Sequence, residues 1–234
     1  MKIMVLGDVH GEWGSMNVLI NKKHPDIVLQ CGDFGYWPNM KEEKRKPFWW
    51  DDKKYGTREL HPRPSPGCQL YWCDGNHDDH WSLRDRTTDV FWPNVTYMPR
   101  GTIKEIDGRK IMFVGGAQST DKESRKFGYD WFPEEVVSMS DFAKFPPATK
   151  VDIVISHTCP WEFVMRDVTN DGRGNDCSRT ALSHVLEAYA PDRWFFGHWH
   201  DTTKGMYHNP DWNVTCNWQC VSMAGCTGWW QWLK

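Results

Sequence analysis

Five short polar segments carry the residue types that bind metal ions and transfer protons. They are Gly7-Asp8-Val9-His10-Gly11, Gly32-Asp33, Gly75-Asn76-His77-Asp78, Ser156-His157 and Gly197-His198-Trp199-His200. Imidazole nitrogens combined with carboxylate and amide oxygens suit Mn, Fe, Zn or Co better than Ca or Cu(I). A carboxylate has two oxygens, and Asp33, which stands alone in its segment, is the natural bridge between two ions. Each segment alone is a weak signal, whereas all five in order make a strong one.

Each polar segment follows a short apolar run that predicts a buried strand. These runs cover residues 2–6, 26–31, 69–73, 151–156 and 193–196. Further strands are predicted at 95–98, 102–106 and 110–114, and a hairpin around HNPDWN within 204–232. Helices are predicted at 12–23, 133–145 and 178–190, which gives the strand–helix–strand order of an α/β sheet. Ligands of such sheets bind beyond the carboxyl ends of strands, so we expect the five segments at one edge.

The composition predicts an ordinary globular protein with one domain over residues 1–234. The formal net charge of −3 provides no basic field for duplex nucleic acid or an anionic membrane, so neither is an expected partner. No signal peptide and no run of about 18 apolar residues is found, which predicts a cytoplasmic location. The irregular stretch at 37–66 is interpreted as an insertion or lid.

The cysteines are interpreted as reduced, buried residues rather than as ligands. The sequence has 8 of them, and a cytoplasmic location keeps thiols reduced. Cys216, Cys220 and Cys226 lie close together, which raises the alternative of a structural zinc site. They form no CxxC pair, and so the packing interpretation is favoured.

The five segments resemble the ordered motifs of the calcineurin-like metallophosphoesterases: GDxH, GD, GNH(E/D), a Gly- or Ser-His after a strand, and GHxH. GGAQSTDKESRKFGYDWFPEE (115–135) and SHTCP (156–160) also resemble segments of small metallophosphoesterases encoded by bacteriophages and some bacteria. If the gene is phage-borne, the expected location is the host cytoplasm. GDFGYWP at the second motif lacks the GDxVDRG of the related protein phosphatases, which disfavours a phosphoserine phosphatase. The resemblance implies a four-layer α/β/β/α sandwich of two mixed β-sheets flanked by helices.

The resemblance also implies a centre of two divalent metal ions, with Mn²⁺ favoured over Fe, Zn, Co or Ni. The first ion would be held by Asp8, His10, Asp33 and His200, and the second by Asp33, Asn76, His157 and His198. His77 would serve the leaving group, with Asp78 orienting it and Asp74 only ending a strand. His80 is expected to be solvated or to cap a helix. Arg125 is a candidate for binding the substrate phosphate, with a surface salt bridge as the alternative.

The favoured function is a dinuclear metal-dependent phosphodiesterase that hydrolyses nucleotide phosphodiesters, 2′,3′-cyclic nucleotides among them, by a metal-bridging hydroxide. A phosphomonoesterase and a dinucleoside-polyphosphate hydrolase are the enzymatic alternatives. A non-catalytic scaffold of the same fold is the alternative of another class. All predicted ligands and His77 are present, which favours an enzyme. A small phosphate ester or nucleotide is the expected partner, and Trp37, Trp131 and Trp161 are either walls of a base pocket or packing at its rim.

Overall fold

The computed structural model describes residues 1–40, 61–165 and 175–233, so most of the predicted insertion or lid at 37–66 lies outside the described residues. Twelve strands are seen there: β1 (Ile3–Leu6), β2 (Ile27–Gln30), β3 (Gln69–Trp72), β4 (Val90–Trp92), β5 (Val95–Tyr97), β6 (Thr102–Ile106), β7 (Arg109–Val114), β8 (Ile153–Ser156), β9 (Arg193–Phe196), β10 (Lys204–Asn209), β11 (Val214–Cys220) and β12 (Trp230–Trp232). The described α-helices are α1 (Trp13–Lys23), α2 (His80–Arg84), α3 (Met139–Phe142) and α4 (Cys177–Tyr189).

The strands form two mixed sheets of six strands each. Their orders are β12-β1-β2-β3-β5-β4 and β10-β11-β9-β8-β7-β6. In each sheet the four central strands are parallel and both edge strands are antiparallel. All five polar segments follow central strands, namely β1, β2, β3, β8 and β9. Parallel neighbours end on the same side, and so the topology brings the segments of each sheet together.

Alternation along the short strands builds the layers. Ile3 and Val5 of β1 belong to a cluster that also contains Phe113 and Ile155 of the other sheet, and this cluster joins the two sheets. Met4 and Leu6 point the other way, into a cluster with Met16 and Ile20 of α1. Successive residues of a strand face opposite sides, so strands buried on both faces read as continuous apolar runs. A third cluster packs α4 against the second sheet, and the predicted four-layer α/β fold class is confirmed.

The predicted helix at 133–145 is wrong. Pro133–Glu135 form a single 3₁₀ turn, Val136 is extended, and Ser138 starts the short helix α3 through a capping box with Asp141. Arg100 donates hydrogen bonds to the carbonyl oxygens of Glu134, Glu135 and Val136. These carbonyl oxygens are therefore not available for the hydrogen bonds of a continuous helix. A contact with a residue distant in the sequence determines the local conformation.

The hairpin predicted in the tail is present, whereas the prediction of buried cysteines holds only in part. β10 and β11 form the hairpin around HNPDWN, while β12 crosses to the first sheet and pairs with β1. Cys216 and Cys220 are buried, but Cys226 is only partly buried and Cys177 is exposed. None of the helices that the structure describes is long and apolar enough to cross a membrane.

A buried ion pair fastens the loop after β3 to the rest of the first sheet. Asp74 Oδ2 accepts from Arg100 Nε at 2.9 Å and Nη2 at 2.6 Å, and Asp74 Oδ1 accepts from the Tyr97 hydroxyl at 2.9 Å. Burial would raise the pKa of Asp74, but Arg100 and His80 hold it below its usual range. Asp74 is therefore a charged anchor beneath the polar segment and more than the end of a strand.

Replacing Arg100 by Met should lower the free energy of unfolding by about 3–5 kcal/mol, because it leaves the Asp74 carboxylate buried without its cation. The matched control is Lys150→Ala, which breaks an exposed pair with Asp192 (2.8 Å) and should cost at most about 1 kcal/mol. Urea denaturation measures both. The Asp74→Asn/Arg100→Met double variant should recover part of the loss. Equal costs for Arg100→Met and the control would contradict the assignment.

Candidate metal centre

Two glycines allow the loops to close onto two carboxylates. A Cβ on Gly197 would lie 1.8 Å from Asp8 Oδ1, and one on Gly75 would lie 2.0 Å from Asp33 Oδ1. No side chain fits at either position. The backbone N–H of His198 donates to both oxygens of Asp8 at 3.1 and 3.0 Å, which ties the loop after β9 to the loop after β1.

Four of the seven predicted ligands have a left-handed backbone. The φ angles are 48° for His10, 51° for Asp33, 66° for His198 and 51° for His200. Non-glycine residues hold such conformations at about 1–3 kcal/mol each, and such strain clusters at functional sites. The surrounding hydrogen bonds therefore impose a side-chain arrangement that the local sequence would not choose.

The first donor group consists of Asp8, His10 and His200. His200 Nε2 lies 3.0 Å from Asp8 Oδ2 and 3.1 Å from His10 Nε2. All three ligand atoms fall within 4.8 Å of one another. The imidazole Nε2 atoms thus converge on a carboxylate that is fully buried.

The second donor group surrounds Asn76. Its side-chain Oδ1 is 2.9 Å from both His157 Nε2 and His198 Nδ1. Asp8, Asp33 and His157 also form a compact set of potential ligands. The Nδ1 of His157 lies 2.9 Å from the Cys31 carbonyl oxygen. With one proton on Nδ1 donated to this carbonyl, Nε2 would become the ligand atom when a metal ion replaces its own proton, an arrangement common to metal-binding histidines.

Asp33 stands between the two groups. Its Oδ2 is 3.6 Å from His10 Nε2, and its Oδ1 is 3.2 Å from His157 Nε2. One oxygen thus faces each group, as the prediction of a bridging carboxylate requires. Asp8 is also within reach of both groups, which the sequence did not indicate.

The electrostatics of the centre favour positive charge. Burial would raise the pKa of Asp33, but His157, His77 and His10 hold it well below its ordinary value. Burial opposes protonation of His157, yet Asp33 and Asp8 raise its pKa to about 10. Buried carboxylates that stabilise a proton in this way also stabilise a cation. The mixed nitrogen and oxygen donors therefore fit divalent transition-metal ions.

His77 lies beside the centre but in neither donor group. Its ring meets the His10 ring edge to face at 5.2 Å, and its backbone N–H donates to Asp33 Oδ1 at 2.7 Å. Its Nε2 is 3.8 Å from Asp121 Oδ2. Burial lowers the pKa of His77 to about 4. The imidazole is thus placed next to the donor groups with a nitrogen left for another partner.

The assignment of Asp78 as the residue that orients His77 must be corrected. Asp78 Oδ1 accepts from the backbone N–H groups of Gly35 and Tyr36 at 2.8 Å, and Oδ2 accepts from that of Gly75 at 2.8 Å. It therefore ties the loop after β2 to the loop after β3. The carboxylate that faces His77 is Asp121, which lies in the 115–135 segment and was not singled out from the sequence.

Arg125 supports the loop that carries Asn76 through hydrogen bonds from a buried side chain. Its side chain is only 6% exposed. Nη1 donates to Ser119 Oγ at 2.6 Å, and Nη2 donates to the carbonyl oxygens of Asn76, at 2.8 Å, and Asp130. Ser119 Oγ in turn accepts from Asn76 Nδ2 at 3.0 Å. The structure thus shows support for a predicted ligand, while contact of Arg125 with substrate stays a prediction.

All three candidate tryptophans are half-buried and contact other side chains. Trp161 covers the Arg179 guanidinium at 4.3 Å, and Trp37 stacks on Phe132 at 6.3 Å between centroids. Trp131 is half-buried and contacts Phe127. These contacts agree with packing at the rim, and a role as walls of a base pocket stays a prediction for all three.

His80 is buried rather than solvated, and Asp79 caps the helix that His80 begins. Its Nε2 lies 2.9 Å from the Gly75 carbonyl oxygen. Burial lowers the pKa of His80 to about 4, although Asp74 opposes the shift. The folded protein therefore holds this imidazole neutral at neutral pH.

The buried imidazole predicts a loss of stability in acid. Unfolded His80 has a pKa of about 6.5, so the unfolded chain takes up the proton first as pH falls. Stability is present above about pH 6.5 and declines towards the folded pKa of about 4. His80→Gln keeps a donor for Gly75 and removes the titration. Between about pH 7.5 and pH 5, wild type should lose about 2 kcal/mol more unfolding free energy than His80→Gln, measured with urea and EDTA present. Equal losses would contradict the assignment.

An α/β sandwich with two adjoining carboxylate–imidazole groups at its strand ends defines the class of metal-dependent hydrolases with a two-ion centre. The sequence model of the calcineurin-like phosphoesterase family matches residues 1–202. The protein belongs to this family, which supports a metal-dependent phosphoester hydrolase.

The chain is similar to one curated protein and to two solved structures. The chain is 23% identical over 258 residues to the lariat debranching enzyme of Schizosaccharomyces pombe, covering 96% of this chain and 54% of that protein. It thus spans about half the length of this curated relative. Phosphopantetheinyl hydrolase of Mycobacterium tuberculosis aligns with 99% of this chain and 96% of its own, at 12% identity and a TM-score of 0.49. TT1561 of Thermus thermophilus aligns with 92% of this chain and 87% of its own, at 13% identity and a TM-score of 0.45.

Asp33→Asn should weaken the binding of both metal ions together, because each oxygen of Asp33 faces a different donor group. We expect wild type to retain about two Mn²⁺ per chain after dialysis. Removing a residue that only orients a metal ligand typically lowers metal affinity by about 10–100-fold. The Asp33→Asn variant should lose more affinity than that at both metal positions. His208→Ala, on exposed β10, is the control. Elemental analysis and calorimetric titration measure the stoichiometry, and loss of one ion with the other unaffected would refute the bridging role.

Proposed function

We propose that the protein hydrolyses nucleotide phosphodiesters, 2′,3′-cyclic nucleotides among them, with two divalent cations, of which Mn²⁺ is favoured. The observation that supports this proposal is the pair of adjoining donor groups, with Asp33 between them. One cation would be held by Asp8, His10, Asp33 and His200, and the other by Asp33, Asn76, His157 and His198. Bound there, the cations would lower the pKa of an attacking water and offset charge on the phosphoryl oxygens.

His77 is the proposed catalytic group of the chain itself. It adjoins both donor groups through its contacts with His10 and Asp33. At neutral pH the ring is neutral, and its N–H in that position can donate a hydrogen bond to the oxygen that leaves the phosphorus. Asp121, 3.8 Å from Nε2, limits the orientations of the ring.

The hydrogen bonds that Arg125 makes within the protein favour diester substrates over monoester substrates. A monoester carries up to two negative charges and a diester only one, so a monoester gains more from additional cations. Both terminal nitrogens of Arg125 already donate to protein atoms. The second negative charge of a monoester would therefore gain little stabilisation from Arg125. The name of the lariat debranching enzyme points to a nucleic-acid linkage, which supports the same choice.

His77→Ala should reduce kcat for bis-p-nitrophenyl phosphate by about 10²–10⁴-fold, the usual contribution of a positioned proton donor. Bound metal should be unchanged, since His77 belongs to neither donor group. His184→Ala, exposed on α4, should retain wild-type rates. Release of p-nitrophenolate by the Mn²⁺-loaded proteins measures the effect.

Three results would count against the proposal. Absence of turnover of any ester by wild type with metal bound would remove the hydrolase and leave a binding scaffold. Faster hydrolysis of p-nitrophenyl phosphate than of its diester would replace the diesterase by a monoesterase. A His77→Ala variant as fast as wild type would move the proton donor elsewhere.

A further inference from the structure

An aromatic ledge, which we define as Trp81 and Phe127, projects into solvent near the catalytic loop. Trp81 is 41% exposed and Phe127 is 62% exposed. The two rings meet edge to face with centroids 5.9 Å apart. Large aromatic side chains generally gain by leaving water, and an exposed pair beside a catalytic site therefore suggests that a ligand covers it.

The ledge is built on a tight and well-bonded turn. The carbonyl oxygen of Lys126 accepts from the N–H groups of Tyr129 and Asp130, both at 3.1 Å. Gly128 has a φ of 71°, and a Cβ there would lie 2.8 Å from the Trp81 ring. The turn thus packs directly against the indole. A surface fixed in this way loses little conformational freedom when a ligand binds.

Both halves of the ledge are fastened to the loop that carries Asn76 and His77. Trp81 follows His77 by four positions, a reach of about 14 Å at most. Phe127 follows Arg125, whose Nη2 donates to the Asn76 carbonyl oxygen at 2.8 Å. The aromatic rings are thereby carried by segments that adjoin or contact the loop of the proposed catalytic group.

Space for a flat ring lies beside the indole. Trp81, though not Phe127, lines a cavity of about 590 Å³ together with the aromatic side chains of Tyr36 and Phe91 and the polar side chains of Asn39 and Ser82. The volume falls within the about 300–1,000 Å³ of small-molecule sites, which typically combine apolar walls with a few polar groups. This lining suits an aromatic heterocycle that has hydrogen-bonding edges.

We propose that the aromatic ledge is a base-binding subsite, on which a nucleobase next to the scissile phosphate stacks. The inference rests on the proposed function and deepens it, because it assigns the base contact to Trp81 and Phe127. It also predicts weak selectivity among bases, since every base offers a face for stacking. Removing one stacking side chain typically weakens binding by about 5- to 150-fold.

The test compares two ligands that differ by the base alone, adenosine 5′-monophosphate and ribose 5-phosphate, titrated calorimetrically into the Mn²⁺-loaded protein. Trp81→Ala and Phe127→Ala should each weaken binding of the nucleotide by about 5- to 150-fold and leave that of ribose 5-phosphate unchanged. Trp81→Phe should retain most of the affinity. With 2′,3′-cyclic AMP as substrate, KM should rise in the alanine variants while kcat changes little.

Met206→Ala is the matched control, because Met206 is a comparably exposed apolar residue (66%) on β10. Phe127→Ala keeps the test valid if Trp81→Ala fails to fold. Equal affinity of wild type for both ligands, or equal losses for both in the variants, would overturn the subsite. Sedimentation that shows a dimer lost in the variants, with nucleotide affinity kept, would make the ledge a self-association surface. Binding is measured without turnover, so an inactive wild type that prefers the nucleotide would refute the proposed function and leave the subsite standing.

Discussion

The buried carboxylate of Asp33 is the constraint on which the rest of the structure depends. It is 1% exposed, and burying a charge is costly unless partners compensate it. The compensation comes from three directions: His10, His157 and the backbone N–H of His77. These groups belong to loops of both sheets. The interaction that stabilises Asp33 therefore also fixes the two sheets relative to each other at their ligand-bearing edge.

Sheet register makes this convergence possible. Gln30 of β2 is level with Leu6 of β1 and with Trp72 of β3, so these three strands end side by side. In the second sheet, Ile155 of β8 is level with Phe195 of β9. A slip of one residue would turn every side chain of a strand to the opposite face. The apolar cores on both sides of each sheet forbid that slip, and so packing far from the site determines which atoms meet there.

The grouping of the predicted ligand residues at one place was predictable because its signals are local. A buried strand, a glycine and a polar residue recur in order, and the parallel topology does the rest. The roles of Asp78 and His80 were not predictable, since they depend on partners that the neighbouring sequence does not reveal. Asp78 binds backbone amides of another loop, and His80 sits over the Asp74–Arg100 pair. The helix prediction at 133–145 was wrong for the same reason, because Arg100 donates hydrogen bonds to carbonyl oxygens of this segment.

The division between buried and exposed groups also bears on substrate choice. A pair of cations can activate water for many phosphate esters, so the centre alone discriminates little among them. Arg125 donates to the Asn76 carbonyl oxygen and so supports that loop, while its contact with substrate stays a prediction. In the proposed function, selectivity would come from surfaces that adjoin the centre without belonging to it, and among the described residues the rings of Trp81 and Phe127 offer such a surface. On this proposal, catalysis and substrate recognition would be supplied by different side chains that are supported by the same loop.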